Sequence, residues 1–342
     1  MQQMSITQSP EIIGKKRRLA SLSEASGRFS MLAIDQRQSL RKMISSQTGQ
    51  APESVLEESL VLVKRVITSR LAHKASAILT DPYMGYATTW EFIPGSTGVL
   101  LSLEQTGYSI VNNNERLTRL LGDWSVEKAL LAGADGIKLL VWYDKGASSA
   151  VMEHQKGIVQ STGEACYRHA IPFVLEVVCY SSDDISTRGP EYAHEKAIRV
   201  IDAASEFSDP RYQVDLLKLE FPGNLKFVKE YQDRSFYGGS VIHDISEVRD
   251  FCRSVNDASR VPWVILSAGV EPEEFIEAIQ LCNDAGASGF LCGRAVWQDV
   301  IKHFPNLDAM ESYIETSAAD AFDLILKANK TAVPWQQHKH FK

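Results

Sequence analysis

An α/β fold of the (β/α)8, or TIM-barrel, kind is predicted by two features of the chain. From Phe29 onward, short apolar runs rich in Val, Ile and Leu alternate with longer amphipathic stretches, the signature of strand–helix units around a parallel sheet. The count of such runs comes to eight. At 342 residues, with 44% hydrophobic and 23% charged, the chain is long enough to bury a core of that size.

Taken in order, residues 1–28 read as a polar, irregular N-terminal arm in which Ser23 caps a short turn. Strands are expected at 29–34, 75–80, 98–103, 136–143, 172–178, 216–221, 263–267 and 289–292, so the barrel spans 29–330. After the first strand, PESVLEESLVLVKRVITSRL places Pro52 in a first turn and Val55, Leu56, Leu60, Val63 and Ile67 at helical spacing. Before the eighth, PEEFIEAIQLCNDAG opens on Pro272 and stops at Gly286. Residues 84–97 and 224–260 read as long insertions, of the sort that closes over ligands in barrels. The tail 331–342, with Pro334 and Trp335, is expected to be extended.

Composition excludes several functions. The formal net charge is −7, and the one basic cluster, Lys15 to Arg18, is too short for a nucleic-acid stripe, so neither nucleic acid nor a membrane is expected as a partner. No apolar segment follows the basic residues of the N-terminus and none approaches the ~18 residues a bilayer requires, which predicts a cytoplasmic protein. Five scattered cysteines without CxxC spacing read as reduced and structural. No two histidines stand at i, i+3 or i, i+4, and the nearest pair, His338 and His340, belongs to the tail. Neither a metal nor another cofactor is therefore expected, and nucleotide or serine-hydrolase motifs are absent.

Three strands carry a charge where an apolar residue belongs: Lys138 in GIKLLVWY, Glu176 in PFVLEVV and Lys218 in VDLLKLEF. Burying such a group costs several kcal/mol unless it is paired or neutralised, roughly the scale of a whole protein's net stability. Glu176 and Lys218 fall past the middle of their runs, toward the barrel end where catalytic groups sit, and Lys138 falls earlier in its longer run. A lysine amine, a carboxyl that shuttles protons and a second cation are the parts of a Schiff-base site. Asp35, ending the first strand, either joins them, by polarising the developing carbinolamine or holding Lys138, or serves as a helix cap or partner of Arg37. Ser267-Ala268-Gly269 after the seventh strand and Gly293-Arg294 after the eighth leave backbone N–H groups and a forked cation for a phosphate. Gln36 and Arg37 are candidates for the rest of a sugar or its other anionic end.

Over about residues 27–335, the runs MLAIDQRQSLRKM, ILTDPYMGY, EQTGY, WSVEKALLAGADGIKLLVWYD, PFVLEV, VDLLKLEFPGN, PWVILSAGV and GFLCGRAVW resemble the tagatose-1,6-bisphosphate aldolase family. The resemblance implies a class I, metal-independent barrel enzyme, assembled as a dimer or tetramer. Such an enzyme cleaves a ketohexose bisphosphate to dihydroxyacetone phosphate and glyceraldehyde 3-phosphate. It further implies that Lys218 is the Schiff-base lysine, that Glu176 is the acid/base, and that Lys138 and Asp35 lie in the pocket. PWVILSAGV and GASGFLCGRAVW are also similar to sulfofructose-phosphate aldolase, whose distal group is a sulfonate. Unlike the broader class I fructose-bisphosphate aldolases, the third strand, GVLLSLE, has no lysine. A regulatory barrel that senses sugar phosphates with weak catalysis is the reading from another class.

Overall fold

The computed structural model describes residues 9–112, 114–183, 185–187 and 189–339. Ten strands occur among them: β1 (Phe29–Ala33), β2 (Ala77–Thr80), β3 (Gly98–Ser102), β4 (Ser109–Val111), β5 (Glu115–Leu117), β6 (Gly136–Tyr143), β7 (Phe173–Cys179), β8 (Leu216–Leu219), β9 (Trp263–Ile265) and β10 (Gly289–Cys292). Eight close a parallel barrel in the circular order β1-β10-β9-β8-β7-β6-β3-β2, each matching an apolar run of the sequence. The remaining two, β4 and β5, form an antiparallel hairpin in the connection from β3 to β6.

Strand alternation sorts the barrel residues into two sets. Leu32, Ile78, Leu101, Leu139, Leu175, Leu217, Ile265 and Phe290 join the outer cluster, where they meet the surrounding helices. Phe29, Met31, Ala33, Ala77, Leu79, Leu100, Val174, Leu216, Val264 and Leu291 form a separate inner cluster. Stepping on by two from Val174 reaches Glu176, and from Leu216 reaches Lys218. The interior is thus apolar below and charged above, on one continuous face.

The lower end is sealed by a helix, Pro10–Leu22, within the stretch that the sequence pattern marks as irregular. Ser9 caps it and Pro10 occupies its first turn. Leu19 and Leu22 enter the inner cluster, a burial worth roughly 2 kcal/mol each. The approach is close: a Cβ on Gly98 would lie 2.6 Å from the Ser21 carbonyl, and one on Gly136 would lie 2.8 Å from Leu22. The basic run divides between two tasks, Lys15 pairing with Asp215 at 2.8 Å and Arg18 donating to the Ala170 carbonyl at 3.2 Å. From the other terminus, Trp335 enters the same cluster and its ring N–H reaches Ser23 Oγ at 3.3 Å. It opens a short 3-10 turn, Trp335–Gln337, where an extended tail was expected.

Other expectations need smaller corrections. Pro52 heads a 3-10 turn and the helix proper is Glu57–Leu71. Residues 84–97 are a succession of short helical turns, and 224–260 contains an ordinary barrel helix, Ile245–Ala258, started by an Asp244/Glu247 capping box. Only the part before that helix lengthens the loop. Helix Pro272–Ala285 ends as its sequence indicates, at a left-handed Gly286. All five cysteines are free and buried. Among the described residues no helix is long and apolar enough to cross a membrane.

Candidate active site

At the charged end of the interior lies a cavity of about 630 Å³, ample for a phosphorylated sugar. Asp35, Gln36, Arg37, Lys138, Glu176 and Lys218 line it. So do Ser267, Ala268, Gly269, Gly293 and Arg294. Every site residue singled out from the sequence therefore reaches one space, although they come from six different strands.

The two lysines occupy unlike surroundings. Lys138 Nζ contacts three carboxylates: Asp35 at 2.9 Å, Glu104 at 2.6 Å and Glu176 at 2.8 Å. Lys218 Nζ contacts one, Glu176, at 2.9 Å. Both nitrogens share the same Glu176 oxygen, Oε2. This is possible because Glu176 and Lys218 are register partners on adjacent strands, while Lys138 sits one inward position lower, level with Val174.

Electrostatics follow from that geometry. Burial acts to strip the proton from Lys138, but the charges of Asp35, Glu104 and Glu176 overcome it and hold the ammonium well above its ordinary range. Burial would likewise push Asp35 and Glu176 up. The Lys138 and Lys218 ammoniums reverse both and keep the carboxyls below their usual values. Asp35 thus pairs with Lys138, one of the roles left open by the sequence, and Arg37 heads the next helix instead.

Glu104 escaped the sequence reading. Besides its pair with Lys138, its Oε2 accepts the Leu140 N–H at 3.1 Å and its backbone carbonyl accepts Arg37 at 2.7 Å. Its signal was nonetheless present: it follows Leu100 and Ser102 at two-residue steps, so it continues the inward face of β3 as Glu176 continues that of β7. Glu220 and Glu274 also line the cavity, and burial raises both carboxyls against the pull of Lys196 and Lys226 for Glu274 and of Lys196 for Glu220.

On the β9–β10 side the backbone turns sharply. Ala268 and Gly269 both have positive φ, 49° and 75°, and the Arg294 guanidinium lies against Gly269, where a Cβ would come within 3.1 Å of its Cζ. Gly293 is pressed against the Ala33 carbonyl and the Gln36 amide, 2.4 and 3.1 Å from where a Cβ would stand. Gln36 Oε1 and Arg37 Nε are buried without a protein partner, so both present hydrogen-bonding capacity in the neighbourhood of the cavity. Among the described residues no cluster of three or more His, Cys, Asp or Glu is placed to hold a metal ion. The tail pair fixed on from the sequence lies partly outside them, since His340 is not described.

Comparison with known proteins gives consistent results. Residues 29–299 match the model of the DeoC/LacD family aldolases. The chain is 33% identical over 326 residues to a tagatose 1,6-diphosphate aldolase of Lactococcus lactis subsp. lactis, covering 94% of this chain and 97% of the relative. It is 36% identical over 307 residues to tagatose 1,6-diphosphate aldolase 1 of Enterococcus faecalis, covering 89% and 90%. Among solved structures, a Schiff-base-forming fructose-1,6-bisphosphate aldolase superposes with a TM-score of 0.52 at 17% identity, over 89% of this chain and 98% of that one.

Proposed function

The chain belongs to the DeoC/LacD aldolase family and is accordingly a lyase, and from that premise we propose that it is a class I, metal-independent aldolase acting through Lys218 on tagatose 1,6-bisphosphate. The observation that carries this reading is the single Glu176 oxygen shared by two unequal lysines. A nucleophilic amine must shed its proton, and Lys138, caged by three carboxylates, is held as the ammonium. Lys218 has one carboxylate, and that carboxylate is within proton-transfer distance.

The steps follow from these positions. Glu176 takes a proton from Lys218 across their 2.9 Å contact. The neutral amine adds to the C2 ketone, whose oxygen becomes a hydroxyl. Glu176 returns its proton to that hydroxyl, water leaves, and a protonated imine remains. Glu176, again a carboxylate, or a water it holds, removes the C4 hydroxyl proton. The C3–C4 bond then breaks, its electron pair flowing into the imine to form an enamine. C4 departs as the aldehyde of glyceraldehyde 3-phosphate. Protonation of the enamine at C3 and hydrolysis release dihydroxyacetone phosphate and restore Lys218.

Asp35 and Glu104 keep Lys138 charged and in place, so that its field acts on Glu176 at every step. Ser267, the Ala268–Gly269 backbone, Gly293 and Arg294 bind the phosphate next to the ketone. Gln36 and Arg37 bind sugar hydroxyls beside it. The testing experiment compares cleavage of tagatose 1,6-bisphosphate, fructose 1,6-bisphosphate and sulfofructose 1-phosphate by one preparation, with and without EDTA. Tagatose bisphosphate should be cleaved with the highest kcat/KM and EDTA should leave the rate intact. A loss of activity restored by zinc would contradict the mechanism, and a preference for the sulfosugar would contradict the substrate.

A further inference from the structure

The hairpin β4–β5 brings one more cation to the cavity. Arg116, on β5, lines its wall, and its guanidinium carbon lies 4.5 Å from the ring centre of Tyr108, 4.8 Å from that of Trp142 and 4.6 Å from that of Tyr180. Among the described residues its guanidinium makes no ion pair and no hydrogen bond. Aromatic faces hold a guanidinium by its π surface and leave the N–H fork free for a planar pair of acceptors. A caged arginine of this kind is ready for an anion.

The cage is rigidly built. Arg116 donates its backbone N–H to the Tyr180 hydroxyl at 3.0 Å. The fully buried Gln155 ties the hairpin to β6, donating to the carbonyls of Arg116 at 3.2 Å and Trp142 at 2.8 Å while accepting the Thr118 N–H at 3.1 Å. Other cations around the cavity are less suited. Lys42 and Lys226 are exposed, and Lys196 stands near the raised carboxyls of Glu220 and Glu274. Glu220 is also the carboxyl that feels the Arg116 charge.

Topology gives the position its meaning. The phosphate-binding turns follow β9 and β10, whereas Arg116 lies in the loop from β3 to β6, with Trp142 on β6. In the closed order, two strands separate these pairs on one side, β8 and β7, and two on the other, β1 and β2. The two anion-binding features are therefore on opposite sides of the mouth, and Lys218 on β8 and Glu176 on β7 lie on the arc between them. A ketose with an anion at each end and its reacting bond in the middle fits that layout.

We propose that Arg116, held in the cage of Tyr108, Trp142 and Tyr180, binds the distal anionic group of the substrate and sets the preference for an aldehyde that carries one. The inference rests on the class I reading above. It is a specificity role: Arg116 touches the end of the substrate remote from the bond that breaks.

The test runs the reaction toward synthesis, pairing dihydroxyacetone phosphate with glyceraldehyde 3-phosphate or with unphosphorylated glyceraldehyde. In Arg116→Met the KM for glyceraldehyde 3-phosphate should rise by about 10- to 100-fold, the worth of one charge-assisted contact. The kcat/KM ratio between the two aldehydes should fall by a similar factor, with a much smaller change in the KM for dihydroxyacetone phosphate. Tyr108→Leu, which opens the cage but keeps the cation, should lower the ratio by a smaller factor, and it replaces Arg116→Met if that variant does not fold. An unaltered ratio, or an equal loss for both aldehydes, overturns the assignment to Arg116 alone. Absence of synthesis with either aldehyde in the parent enzyme overturns the class I reading and this inference with it.

Discussion

The floor and the mouth of the barrel are lined by the same strands, two to four residues apart, and they do opposite things. At the floor, Leu100, Val174 and Leu216 join Leu19, Leu22 and Trp335 in one apolar cluster. One inward step higher on β7 and β8, and two on β3, Glu176, Lys218 and Glu104 occupy positions that would otherwise extend that packing, joined by Lys138 and Asp35. Area removed from water stabilises the first region at roughly 25 cal/mol per Å². The second is a buried ion network, which at best offsets its own desolvation. Stability and chemistry are thus separated by height within one channel.

Substitutions can break this division, and the largest effect belongs to the mouth. Lys218→Met should lower kcat by at least about 10⁴-fold, as loss of a covalent nucleophile does, while the thermal midpoint stays near the parent's. Steady-state cleavage assays and a calorimetric scan would check both halves; appreciable turnover would show that another amine reacts. Lys138→Met should damage both properties. It leaves three buried carboxylates without their shared cation, a loss of about 3–5 kcal/mol, seen in a denaturant titration. The pKa values of Asp35 and Glu176 should then rise, so the acid limb of the activity profile moves to higher pH.

Leu100→Ala at the floor should cost about 2–4 kcal/mol of stability with kcat and KM close to the parent's. A change in kinetics comparable to that of the mouth variants would erase the distinction. The smallest effect across the working range is that of pH on folding. Asp35 and Glu176 are depressed in the folded state, so their contribution is complete above the unfolded carboxylate values of about 4 and is lost as pH falls through the folded ones. Lys138 is raised, so its contribution is complete below about 10.4 and is lost as pH rises through its folded value. Unfolding free energy from these groups should be flat between those limits and decline outside them.

What could be read from the chain divides along the same line. The eight barrel strands were legible because each is an apolar run bounded by turn residues. Lys138, Glu176 and Lys218 stood out because a charge interrupts such a run. Glu104 was hidden because it stands at the very end of its apolar run, where a charge reads as the start of a loop, although its two-residue spacing from Ser102 puts it on the inward face. Arg116 gave no local signal at all. Its cage is assembled from positions 108, 142 and 180, which only the closed sheet brings together. The helix Pro10–Leu22 was masked by its own basic residues, since Lys15 is buried beside Leu19 and Leu22 through its partner Asp215, some 200 positions away.

The central claim is that the amine of Lys218, and no other, bonds to the ketone. Incubating the protein with dihydroxyacetone phosphate, reducing with sodium borohydride and mapping the modified peptide by mass spectrometry tests it. The expected result is one adduct, of the ligand's mass less the water lost and with the hydrogens of reduction added, on the peptide that contains Lys218. An adduct on Lys138 or elsewhere, or none from a preparation that cleaves its substrate, would contradict it.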